Sequence, residues 1–169
     1  MVSIPKVHPS SFVHKTAVII GDVTIGKNCG VFPHAVIRGD ANSIVIGDGS
    51  NIQDGCVIHV DADNSCFIGS GVSIGHLAMI HGASIEDDCI IGMHSTIMNK
   101  ATIGKGCIIG AGTVVTQGTT IPPNSLVLGV PGKVLKKEQN FLSIIRENAE
   151  VYVRLSQDHK DGKFEEYNR

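Results

Sequence analysis

The 169-residue chain has no tryptophan, only two tyrosines and five phenylalanines. A core with so few large rings must be assembled from stacked Ile and Val. Charge of either sign is also scarce in excess: the formal net charge is −2. That gives no reason to expect nucleic acid or an anionic membrane as partner. No apolar run reaches roughly eighteen residues, so a membrane-spanning helix is not expected. The opening residues MVSIPKVHPS lack an apolar run followed by a cleavage pattern. A cytoplasmic protein is therefore the expectation. The five cysteines are an odd number without a C-x-x-C among them, which argues against a disulfide framework. One domain, with a small appendage, suits this length.

What the sequence does have is glycine, 20 residues of it, and aliphatic residues at a fixed period. Ile25, Val31 and Ile37 are six apart, as are Ile46, Ile52 and Ile58, and again Ile68, Ile74 and Ile80. The series resumes at Ile85 and runs in sixes through Ile91, Ile97, Ile103, Ile109, Val115 and Ile121 to Val127. Val7, Val13 and Ile19 extend it backwards. Four residues after each aliphatic position stands a small residue, among them Cys29, Cys56, Cys89 and Cys107. Three residues after it stand residues tolerant of left-handed backbone, such as Asn28, Asp40, Gly49, Gly55 and Asp88. A period of six fits neither strand alternation alone nor a helix. It fits a short strand, a tight turn and the next strand, with three units closing a triangular coil of about eighteen residues. The expected fold is all-β: a parallel β-helix over residues 1–132. Residues 133–169 form a C-terminal helix and tail packed on the coil. Phe141, Ile145, Tyr152 and Leu155 place that helix within 138–160, and the final DGKFEEYNR is expected to be frayed. The four periodic cysteines read as buried corner fillers, and Cys66 falls in an insertion without an assigned role.

Three interruptions break the sixes. Ile37 to Ile46 is nine residues, Ile58 to Ile68 is ten, and Ile80 to Ile85 is five. All follow the same side of the triangle, so loops are expected at one corner. Ile37, Ile58 and Ile80 then stack on one face, and the residues after them stack too: Arg38, His59 and His81. Coils about 4.8 Å apart let two imidazoles share a metal whose bonds are about 2.0–2.1 Å. His76 follows Ile74 on an adjacent face, with Asp54 stacked on it and Gln53 alongside. It cannot easily reach the same metal within one chain, but prisms packed in a three-fold ring would bring the faces together. The spacing predicts a homotrimer with His59 and His81 from one subunit and His76 from its neighbour. His34 and His94 occupy turn positions and are assigned turn roles. His8, His14 and His159 carry no hypothesis.

The hexad pattern resembles the left-handed hexapeptide-repeat family, an exception to the right-handed crossover rule. The stretches VIRGDANSIVIGDGSNIQDGCVIH and SIGHLAMIHGASIEDDCIIGM resemble the γ-class carbonic anhydrases and their relatives. The resemblance implies a metal held by His59, His76 and His81 between trimer subunits, with zinc, iron(II) or cobalt(II) compatible with the ligands. It further implies that Arg38 and Asp40 pair across the subunit interface beside the metal, that Gln53 hydrogen-bonds the hydroxide or substrate, and that Asp54 belongs to the surrounding network. The implied activity is reversible hydration of carbon dioxide to bicarbonate by a metal-bound hydroxide. The most active form carries acidic proton-exporting residues near the metal. Here Ala41 follows the R-G-D, and Asp61 and Asp63 are the candidate shuttles. Two other readings stay open: a hexapeptide acyltransferase using coenzyme A, and a low-activity relative serving as a complex subunit or a thioesterase.

Overall fold

The computed structural model describes residues 3–138 and 141–167. Its backbone is a left-handed parallel β-helix followed by one helix, Phe141–Lys160. Each coil contributes short strands to two sheets. An eleven-stranded sheet bends round one corner and makes two faces of the prism; an eight-stranded sheet makes the third. The aliphatic ladders follow the sixes. Ile37 pairs with Ile58, Ile58 with Ile80, and Ile80 with Ile97. On the third face Val31, Ile52, Ile74, Ile91, Ile109 and Val127 stack in the same way. These side chains are fully or almost fully buried. At about 1.5–3 kcal/mol for each buried aliphatic, the ladders supply the core that aromatic residues do not.

The turns between strands also follow the sequence. Asn28, His34, Asp88, His94 and Asn124 all have positive φ, between 54° and 60°. Leu77 and Lys100 join them at 61° although neither residue type favours that region. Asp40 is the exception: it lies inside the strand Val36–Ile46. The expected loop between Ile37 and Ile46 is in fact continuous strand, paired with Val18–Ile25 through a register shift between Gly21 and Val23. Two strands can turn the corner together here because a Cβ on Gly21 would sit 2.1 Å from the Gly39 carbonyl oxygen. Only the second interruption is a loop, closed by a bridge between Asp61 and Asn64. Cys66 follows it in the strand Cys66–Ile68 and is buried against the core.

The C-terminal segment differs from expectation in one element. Lys133–Lys137 forms an antiparallel strand on Ser125–Leu128 that ends the eight-stranded sheet. The tail folds back on the first coils: Glu166 contacts His14 at 2.9 Å and Lys15 at 2.5 Å. Of the end expected to be frayed, residues 161–167 are described, while residues 168 and 169 lie outside the described residues, as do 139 and 140 in the expected helix. The helix itself buries Ile145, Ala149 and Ser156 and packs on the third face. No helix among the described residues is long and apolar enough to cross a membrane.

Candidate metal centre

The strands Val57–His59 and Met79–His81 lie side by side with His59 opposite His81. Alternation along a strand sends Ile58 and Ile80 inward and the histidines outward. Arg38 heads the same column one coil earlier. The two imidazole rings meet edge to face, with centroids 5.0 Å apart and planes at 68°. His59 Nδ1 stands 3.0 Å from His81 Nε2.

Each ring is engaged on its other nitrogen. His59 Nε2 lies 3.0 Å from Asp40 Oδ1. Asp40 Oδ2 accepts from Arg38 Nη1 at 2.5 Å, within the same chain. That guanidinium bond, with His59 contributing, holds the Asp40 carboxyl below the usual aspartate value. His81 Nδ1 lies 2.7 Å from Asn99 Oδ1. The Asn99 amide nitrogen donates to Asp61 Oδ2. The other oxygen of Asp61 accepts from Asn64 Nδ2 at 2.6 Å and from the Asp63 backbone N–H at 3.0 Å. Chiefly through the Asn64 bond, the Asp61 carboxyl is also held low. Asp63 itself is exposed.

His76 sits at a different corner, after the strand Ser73–Ile74 of the eight-stranded sheet. Its Nδ1 is 2.8 Å from Asp54 Oδ2, and its side chain is 42% exposed. Gln53 lies behind it, 5% exposed. The Gln53 amide nitrogen donates to Asn51 Oδ1 at 3.0 Å, and its oxygen accepts the His76 backbone N–H at 3.2 Å. Gln53 and His76 also line a pocket of about 190 Å³ against Asn148 and Tyr152 of the helix. Burial first, then the Asp54 charge, pushes the Tyr152 phenol above its ordinary value.

The structure therefore brings Arg38, Asp40, His59, His81 and Asp61 into one network and gathers Gln53, Asp54 and His76 at another corner. Among the described residues, no group of three or more His, Cys, Asp or Glu side chains in one chain could hold a metal ion. Two imidazoles do converge. Bonds of about 2.0–2.1 Å to one metal put two nitrogens roughly 3 to 3.4 Å apart, so the 3.0 Å between His59 and His81 suits a divalent cation. Asn99 is the member that counting from the aliphatic residues misses. The deleted residue after Ile80 makes Ile97 its neighbour at seventeen, whereas Asn99 is eighteen from His81. The five cysteines are free and buried. Burial pushes the Cys66 thiol up to about 12 and that of Cys56 to about 11, which suits inert packing rather than chemistry.

Comparison with known proteins gives this geometry a family setting. A family model described as bacterial transferase hexapeptide (six repeats) matches residues 65–99 and 82–117. The chain is 54% identical over 146 residues to a Methanocaldococcus jannaschii protein named "Probable carbonic anhydrase", covering 86% of this chain and 92% of that one. It is 37% identical over 162 residues to gamma carbonic anhydrase 2, mitochondrial, of Arabidopsis thaliana; the match covers 92% of this chain but 58% of that longer protein. Among solved structures, a hexapeptide transferase family protein from Anaplasma phagocytophilum superposes with a TM-score of 0.87 at 34% identity. That match covers 90% of this chain and 91% of the other.

Proposed function

The chain belongs to the γ-class carbonic anhydrase family of hexapeptide-repeat proteins, and on that premise we propose that it hydrates carbon dioxide reversibly at a metal shared between subunits of a homotrimer. The observation that carries the reading is the convergence of His59 Nδ1 and His81 Nε2, 3.0 Å apart at the edge of an apolar face. His59 and His81 of one subunit and His76 of its neighbour would hold the metal, zinc by preference. When bound, such a metal supplies Lewis acidity that makes water a nucleophile near neutral pH.

The chain's own residues prepare that centre. Asp40 and Asp54 are carboxylates that accept from one nitrogen of His59 and His76, which leaves the other nitrogen available as a ligand. Arg38 fixes Asp40 and so the His59 ring. Gln53 is held by Asn51 and the His76 backbone and presents its side chain beside the His76 corner, where it would orient the reacting oxygen. Asp61 has both oxygens committed, so the exposed Asp63 is the better candidate for proton export. With Ala41 where the most active form carries an acid, slow turnover is expected. Five buried, unpaired cysteines suit a reducing compartment such as the cytoplasm.

Carbon dioxide hydration by metal-loaded protein, compared with His59→Ala, tests the reading. The variant is expected to lose both stoichiometric metal and activity. Equal rates in the two proteins would reject the mechanism. Binding of coenzyme A without metal dependence would favour the transferase chemistry of the structural relative instead.

A further inference from the structure

We propose that Asp61 and Asn99 form a dedicated orienting pair for His81, and that the insertion after Ile58 exists to place Asp61 against Asn99. The inference rests on the metal reading above and deepens it. The three histidines are not supported alike. His59 and His76 meet carboxylates, Asp40 and Asp54, which can only accept hydrogen bonds when ionised. His81 meets an amide. An amide can present either its oxygen or its nitrogen, so Asn99 alone does not decide which nitrogen of His81 carries the proton.

Asp61 removes the ambiguity. It accepts the Asn99 amide nitrogen on Oδ2, which turns the Asn99 oxygen toward His81 Nδ1, 2.7 Å away. His81 must then donate from Nδ1 and keep its lone pair on Nε2, the nitrogen that faces His59. With both rings neutral, the two inward nitrogens carry lone pairs and repel unless a cation lies between them. The site is thereby set for a metal before one arrives.

The surrounding backbone is arranged for this contact. Asp61 is held in its turn by Asn64 Nδ2 and the Asp63 N–H, and Asn42 Nδ2 donates to the Ala62 carbonyl at 3.1 Å. The loop approaches Asn99 across Gly82, where a Cβ would stand 2.8 Å from the Asn64 Cβ and 3.6 Å from the Asn99 Cγ. Neither Asp61 nor Asn99 is a metal ligand or touches substrate in this scheme. Both act as positioning residues through His81.

The test reads the imidazole tautomer and the metal affinity separately. Long-range ¹H–¹⁵N correlation of metal-free protein at pH about 8 is expected to show the proton of neutral His81 on Nδ1. Asp61→Asn replaces the fixed acceptor with a second amide, so mixed tautomers and a fall in zinc affinity of about tenfold are expected. The combined Asp61→Asn, Asn99→Asp variant exchanges amide and carboxylate while keeping an oxygen toward His81. It is expected to restore the Nδ1–H tautomer and most of the affinity, which a general folding defect would not allow. Unchanged tautomer and affinity in Asp61→Asn overturn the inference, as does a double variant no better than the single one. His81→Ala separates the two levels: wild-type zinc affinity in that variant overturns the metal reading itself. Lost affinity there, beside an unaffected Asp61→Asn, overturns the orienting pair alone.

Discussion

A single missing side chain illustrates how closely the centre depends on residue identity. Gly82 directly follows His81, has φ of +52°, and leaves room for Asn64. An alanine there would both enter left-handed backbone, at about 1–2 kcal/mol, and crowd the Asp61 loop. Gly82→Ala is expected to lower unfolding free energy by about 1–3 kcal/mol, read from urea denaturation. It should also weaken zinc binding by displacing the loop that holds Asp61. An unchanged denaturation midpoint would show that the loop gives way without cost. The stacking of His81 on His59 was legible at this scale. The eighteen-residue coil put His59 under His81 because register in a parallel sheet is a matter of counting. Asn99 is not reached by counting from the buried aliphatic residues, because the deletion after Ile80 shifts these by one relative to the outward column. The commitment of Asp61 to Asn99 is not reached either, since a hydrogen bond across 38 residues leaves no local pattern.

At the scale of elements, the C-terminal helix is tied to the coil by a paired contact: Arg146 donates through Nε and Nη2 to the two oxygens of Asp88, at 3.3 and 3.1 Å. Burial alone would raise the Asp88 carboxyl, but Arg146 and then Lys105 outweigh it, and the net shift is downward from 3.8. A carboxyl with a depressed folded pKa adds stability that is complete above its unfolded value and is lost as pH falls through the folded one. The contribution of this pair to holding the helix should therefore be complete at neutral and mildly acidic pH and fade only below about pH 4. Arg146→Met is expected to move the Asp88 carboxyl titration upward in ¹³C NMR while costing little stability, since the arginine is largely exposed. An unmoved titration would mean that the pair does not form in solution. The helix was legible from its apolar spacing, beginning at Phe141 within the expected span. The strand Lys133–Lys137 was not: all five residues are exposed, so they carry no alternation. The corner of Val36–Ile46 departs from expectation for another reason. Counting shows where residues are added, but whether they loop out or remain paired depends on close backbone approach at Gly21 and Gly39.

For the whole molecule, the decisive feature is the outward column on the face that ends in His59 and His81. Val18, Val36, Val57, Met79, Thr96 and Val114 are in register along it. Val18 and Met79 remain 44% and 45% exposed in the single chain, and Leu77 and Met93, toward the His76 corner, are 53% and 52% exposed. A largely apolar stripe bordered by polar corners is a surface that asks for a partner. In the proposed trimer it would pack against a second subunit and carry the two halves of the metal centre together. Met79 tests this without touching a proposed ligand. Met79→Glu places a charge in the middle of the stripe while Ile80 and the histidine pair stay in place behind it. The expected result by light scattering coupled to size exclusion is a monomer. Zinc affinity should fall at least tenfold, because the monomer retains His59 and His81 but lacks the neighbour's His76. A folded Met79→Glu monomer that binds zinc as tightly as the wild type would show that one chain completes the site by itself, and the shared centre would have to be abandoned.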